Sequence, residues 1–328
     1  MLLTETLRQS APIADSAELL RLDPAVLTAL TMAWMAMAAG TVARLIRQRR
    51  ADTETAGPLR RRLLGWWLLV VVFSVAVLIG PIGIVLLMAV ASGLATHEFV
   101  DSVLDDSDRA MARPWAYGVL AGQYLAVGLG ALDVAMALVP VGLPIGLAVH
   151  HILVGRTGGV VRRIATITWG VMLSTYFVSH LPLLFAMPET AGAFSAGGAT
   201  NDIAQAVTGR AIGGAKCAPT VSPNKTWAGL VGGIIAAAGL AIVLAPLLTP
   251  IEDHTWFGPA WPFAAAMIGL LIALGGMVGD LTVSAVKRDR GVKDMGKLVP
   301  GQGGVFDRID SLTVTAPLTF YLIRMLWP

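Results

Sequence analysis

The sequence predicts an all-α fold, a polytopic bundle of about nine to ten membrane-crossing helices, and three observations carry that reading. Hydrophobic residues fill 55% of the 328 positions and charged ones only 14%, against roughly 25% in a soluble domain. Mean hydropathy is +0.71. Apolar stretches recur at close to the ~20 residues that a bilayer crossing requires, and Lys and Arg gather in the connections between them.

The first span runs from Pro24 to about Ile46 and ends in Arg47-Gln48-Arg49-Arg50. The second begins at about Leu63, after Arg60-Arg61-Arg62, and reaches Gly80-Pro81; the third continues to about Thr96. Two more lie between Pro114 and Val154, broken near Gly128 to Gly130. Others fall at about Ile164 to Ala186, Ala191 to Val207, Ala228 to Leu248, Pro262 to Val286 and Ser311 to Trp327. The stretch at Ala191 is polar for a span. Residues 1–190 read as N-terminal transmembrane helices, and 191–328 as a C-terminal transmembrane region carrying the chemistry. Met1 to Asp23 is polar and partly acidic, unlike a cleavable signal peptide with a basic start and a short apolar core.

Seven arginines lie between Arg44 and Arg62, so the positive-inside rule places that connection in the cytoplasm. Alternation then puts Arg156, Arg162 and Arg163, the segment Arg210 to Lys225, and the segment Lys287 to Arg308 on the same side. The expected setting is an integral protein of a bacterial inner membrane with its chemistry facing the cytoplasm. The connection His97 to Arg113 also falls inside although it is acidic (Glu98, Asp101, Asp105, Asp106, Asp108), and it reads as a solvated amphipathic link. Asp133 is read as an intramembrane carboxylate or one near the outer interface, and His150-His151 as an interfacial pair. Cys217 is the single cysteine, which rules out an intramolecular disulfide. The net charge is +3 and nothing resembles a nucleic-acid-binding tail.

One segment breaks the apolar pattern. From Ser284 to Asp310 the chain interleaves Lys287, Arg288, Lys293, Lys297 and Arg308 with Asp289, Asp294, Asp307 and Asp310, among glycines. Cations neutralise phosphate oxygens and carboxylates hold a hard divalent cation, so the mixture suits a polyphosphate with its metal. A lipid anchor needs the cations alone, without the Asp, Gly and Pro between them. Asp280 ends a long apolar span, where a buried carboxylate is costly unless paired, with Lys287 a candidate partner. Asp307 and Asp310 stand three residues apart, as metal ligands or as carboxylates that cap the final helix.

Ser284-x-x-Lys287-Arg288, Lys293-Asp294 and Pro300-Gly301-Gln302-Gly303-Gly304-x-x-Asp307-Arg308-x-Asp310 together resemble the signature of integral-membrane phosphatidate cytidylyltransferases, the CDP-diacylglycerol synthases. Ser222-Pro223-Asn224-Lys225-Thr226-Trp227-Ala228-Gly229, Gly279-Asp280 and Asn201-Asp202-Ile203-Ala204-Gln205 are similar to further family motifs, in the same order. The likeness covers about the C-terminal 40% of the chain. The family usually has His where this chain has Gln302 and an aromatic where it has Gln205; Asn201-Asp202-x-Ala-Gln205 resembles a less studied branch.

The resemblance implies transfer of CMP from CTP to phosphatidate, giving CDP-diacylglycerol and pyrophosphate in phospholipid biosynthesis. It implies Asp280, Asp307 and Asp310 as metal residues for Mg²⁺, with room for a second cation such as K⁺. Lys287, Arg288, Lys293, Asp294 and Arg308 become the expected catalytic residues. Asp202, Ser222, Asn224, Lys225, Thr226, Ser284, Gln302 and Gly303 become the expected substrate-binding ones. The small polar helix around Asp202 reads equally as a helix-packing segment. Partners are CTP, a phospholipid phosphate and membrane lipids, with no nucleic acid and a homodimer as an option. Three other readings stay open: a different lipid phosphate as acceptor, a transporter using Asp133 and Asp202, and an inactive paralogue suggested by Gln302.

Overall fold

The computed structural model describes residues 24–48, 56–155, 157–185, 212–248, 258–299 and 301–326. The span expected at Ala191 to Val207, with Asp202, lies outside the described residues, as does the expected domain boundary at 190. Helices α1 (Pro24–Gln48), α2 (Ala56–Ile79), α3 (Pro81–Val103) and α4 (Asp106–Gly128) follow one another closely. Pro81 starts α3 at a position where a missing N–H costs nothing. Asp105 precedes α4, and Asp106 and Asp108 sit in its first turn, where negative charge suits the helix dipole.

A turn at Gly130 leads into α5 (Leu132–Ala137), which runs through a π turn at Leu138–Gly142 into α6 (Leu143–Val154). Pro140 lies in that π turn, where the regular helix ladder is already broken. Helix α7 (Val160–Val171) passes through a second π turn, Met172–Tyr176, to the short α8 (His180–Phe185). The C-terminal part holds strands β1 (Lys216–Ala218) and β2 (Ser222–Thr226), then α9 (Trp227–Leu248), α10 (Trp261–Asp289), α11 (Phe306–Ile309) and α12 (Leu312–Leu326). Among the described residues, five helical segments are long and apolar enough to cross a membrane: 81–103, 132–154, 160–185, 227–246 and 258–289. With the shorter apolar helices at 30–43 and 63–79, they make the polytopic α-helical bundle that the sequence predicts.

Three features differ from the expected elements. The third span does not stop at Thr96 but continues to Val103, because Ala95, Thr96, Phe99, Val100 and Val103 keep a buried face. His97 and Asp101 meet four residues apart on the outside of those same turns, at 3.5 Å. The link to α4 is therefore short, and the expected acidic connection is mostly helix. Second, β1 and β2 form an antiparallel hairpin that an all-α reading does not contain. Third, Asp133 is exposed in the first turn of α5, where its charge suits the helix dipole.

Helix α3 is the centre of the bundle and packs on α2, α4, α7, α8 and α11. Its polar residues bond across helices: Ser92 to Tyr124 at 2.7 Å, and Thr96 to Ser174 at 2.8 Å. Such pairs satisfy hydroxyls that lipid cannot. Helix α10, with 29 residues, spans roughly 44 Å at 1.5 Å per residue, more than a hydrocarbon core of about 30 Å. Its last turns, with Lys287 and Arg288, project past the apolar layer. That projection carries the site.

Candidate functional site

Three elements meet at the end of α10. The first is the hairpin, paired Lys216 to Thr226 and Ala218 to Ser222. Thr226 ends β2, and its Oγ1 accepts the Gly229 N–H at 3.1 Å, which caps the start of α9. The Trp227 N–H reaches back to the Ala215 carbonyl at 3.0 Å. Thr226 is buried, so this expected substrate residue is a helix cap, while Asn224 is exposed and Ser222 half-buried on β2.

The second element is α10 itself. Lys225 on β2 reaches Asp280 with Nζ to Oδ2 at 2.6 Å, and Ser284 donates to the other Asp280 oxygen at 3.1 Å. Asp280 is thus paired with Lys225, not with the expected Lys287. Arg288 holds the hairpin from below: its Nε donates to the Val221 carbonyl at 3.3 Å and its Nη1 to Val292 at 3.1 Å.

The third element is the loop from Arg290 to Val305, which folds onto Asp307. Lys287 Nζ donates to Asp307 Oδ1 at 2.8 Å. Asp307 Oδ2 accepts the N–H of Met295 at 2.9 Å and of Gly304 at 3.0 Å. Lys287 and Asp307 are only 7% and 4% exposed, so this is a buried ion pair whose carboxylate is already satisfied by protein donors. Val299 and Gly303 bridge within the loop, and Gly303 takes a φ of 89°, which disfavours any side chain. Gln302 Oε1 accepts from Arg308 Nη1 at 3.4 Å. Lys293 and Asp294 are exposed on the loop.

Among the described residues no group of three or more His, Cys, Asp or Glu is placed to hold a metal ion. Of the three expected metal residues, Asp307 is turned inward here, toward Lys287 and the Met295 and Gly304 N–H groups. Asp280 and Asp310 remain neighbours, because Gly279 lets α10 approach the Asp310 backbone where a Cβ would collide with that carbonyl. Burial, and then the nearby Asp280 charge, push the Asp310 carboxyl up to about 7, against the pull of Lys287, Arg308 and the Ser311 N–H. Two crowded carboxylates fit a divalent cation, and Mg²⁺ is commonly held by one or two carboxylates with waters and phosphates completing the shell. The Arg308 Nε is buried and meets no acceptor among the described residues.

Glu98 is the residue that sequence reasoning missed. Its charged neighbours suggest a solvated acidic link, yet it is 5% exposed and enters the site from α3. Its Oε1 accepts the Val305 N–H at 3.0 Å and its Oε2 the Phe306 N–H at 2.8 Å. Its place on the stripe of buried Ala95 and Phe99 and half-buried Ser102 is a usable signal, hidden by the charges around it.

The sequence profile of the cytidylyltransferase family matches residues 60–326, and the chain belongs to that family. A protein of Escherichia coli K12 named YnbB, described as uncharacterized, is 36% identical over 84% of this chain and 90% of its own length. The phosphatidate cytidylyltransferase of Brucella suis is 42% identical over 37% of this chain and 42% of its own. That of Rickettsia bellii is 40% identical over 37% of this chain and 52% of its own. The chain therefore spans about half or less of the length of these named enzymes.

Proposed function

We propose that this protein transfers CMP from CTP to the phosphate of a membrane phospholipid, phosphatidate in the first instance, releasing pyrophosphate. Family membership and the names of the partial relatives support the class of reaction. The single structural observation behind the reading is the gathering of Lys225 and Arg308 around the Asp280–Asp310 pair at the end of α10, with Arg288 holding the hairpin that carries Lys225.

The chemistry accounts for that mixture. A lipid phosphate oxygen attacks the α-phosphorus of CTP, a new P–O bond forms, and the bond to the β-phosphate breaks as pyrophosphate leaves. The nucleophile is already an anion, so the difficulty is bringing two polyanions together. Mg²⁺, held by Asp280 and Asp310, would neutralise phosphate oxygens. Lys225, half-buried on the hairpin, is placed to trade its carboxylate for a phosphate when that cation arrives. The buried Arg308 Nε–H supplies a donor to an anion, with Gln302 fixing the other edge of the guanidinium. Lys287 and Asp307 hold the loop and do not need to touch substrate. The site faces the cytoplasm in this reading, where CTP is found.

Gln302 and Gln205, which stand in for the family's usual His and aromatic, favour a second acceptor within the same chemistry, another lipid phosphate. The test is purified protein in nanodiscs with α-labelled CTP, Mg²⁺ and a panel of lipid phosphates. The expected outcome is a labelled CDP-lipid and free pyrophosphate, abolished reversibly by EDTA. No labelled lipid from any acceptor in the panel, with a folded protein, would remove the proposal.

A further inference from the structure

We propose that Glu98 is a positioning residue of the transfer site: from the C-terminal turns of α3 it fixes the loop and α11 that carry Asp307, Arg308 and Asp310. The proposal rests on the transfer reading only for its kinetic part. Three consecutive backbone N–H groups, of Gly304, Val305 and Phe306, open α11, and two carboxylates accept all three. One is Asp307 from α11 itself. The other is Glu98, more than 200 residues earlier, with a sequence separation of 207 to Val305.

The loop is shaped around that carboxylate. A Cβ at Gly296 or at Gly304 would collide with the Glu98 carboxyl group, so the backbone passes on both sides at a distance only glycine allows. The neighbours of Glu98 on α3 complete the template. Phe99 meets the Phe306 ring edge-on at 6.3 Å, and Ser102 Oγ donates to the Met295 carbonyl at 3.0 Å. The Met295 N–H in turn is held by Asp307. One face of α3 therefore grips both ends of the loop, and Glu98 is its polar anchor. Removing the anchor frees the buried Phe306 N–H and the part-buried Val305 N–H and lets Arg308 and Asp310 shift together.

The test uses the full chain in nanodiscs, with Glu98→Gln and Glu98→Ala compared by hydrogen exchange and by kinetics. Amides from residue 294 to 306 should lose protection in both variants, while those of 84–95 in α3 stay protected. Turnover should fall by about ten- to a hundredfold, the scale of a small misplacement of reacting groups, with the KM for CTP changed much less. Gly304→Ala should reproduce both effects, and Glu98→Asp in the same chain should restore part of each by withdrawing the carboxylate. Unchanged exchange across 294–306 in a folded Glu98 variant would overturn the proposal, as would global unfolding of both variants. The exchange result stands even if the parent protein transfers nothing to lipid, so failure of the assigned reaction is seen separately.

Discussion

Asp307 and Asp280 carry similar charges in opposite settings, and their substitutions should separate. Asp307→Asn leaves the Lys287 ammonium buried without a counter-charge, a change that costs about 3–5 kcal/mol when one partner of a buried pair is removed. Asp280→Asn breaks a pair whose side chains are 19% and 31% exposed, where the cost is closer to 0–1 kcal/mol. Both should lose transfer activity, but only Asp307→Asn should melt at clearly lower temperature in detergent. Equal melting of the two proteins would contradict the inward role of Asp307. Asp310 gives a pH signature. Its carboxyl is raised from 3.8 to about 7 in the folded protein, so the native state holds a proton that the unfolded chain has released. In divalent-free buffer its contribution should thus weaken the fold as pH rises through that interval, and level off above it. Thermal melts between about pH 5 and 8 should show a flatter profile for Asp310→Asn than for the parent. An identical slope in both would assign the pH dependence to other groups.

At the scale of elements, the Ser-Pro-Asn-Lys-Thr-Trp block does two jobs that its spacing conceals. Lys225 and Thr226 are adjacent on β2, and strand alternation turns them to opposite sides. One side meets Asp280, while the other closes the first turn of α9. Thr226→Ala should therefore cost about 0.5–2 kcal/mol as the loss of an N-cap, and Thr226→Ser should keep most of that stability. Thermal unfolding of the pair measures it. If Thr226→Ser loses transfer activity as completely as Thr226→Ala without a difference in melting, Thr226 binds substrate after all. The π turns at 138–142 and 172–176 interrupt the regular ladder of their helices, and the second packs against α3.

Across the whole molecule the proposed site lies at one end of the bundle, so its side of the membrane can be tested without knowing the substrate. In a Cys217→Ser background, Lys297→Cys on the loop should react with an impermeant maleimide only from the cytoplasmic side. Leu129→Cys, at the exposed turn between α4 and α5, should react only from outside. The reverse pattern would place Lys225, Arg288 and Arg308 away from CTP.

What the sequence determined by itself is the membrane-crossing framework and the family to which its charged C-terminal motifs belong. Both are local: a span is recognised from the length and hydropathy of one stretch, and a family motif from the side chains it contains. Nine of the expected spans correspond to described helices for that reason, with ends that moved where a buried face continued past the last apolar residue, as at His97 to Val103. The tertiary structure decided the pairing. Lys225 rather than Lys287 meets Asp280, Lys287 meets Asp307, and Glu98 reaches Val305 across 207 residues of chain. Charge and spacing do not encode such partners, because which carboxylate an ammonium meets depends on how closely helices dock. Here that closeness is set by Gly279 against Asp310 and by Gly296 and Gly304 against Glu98.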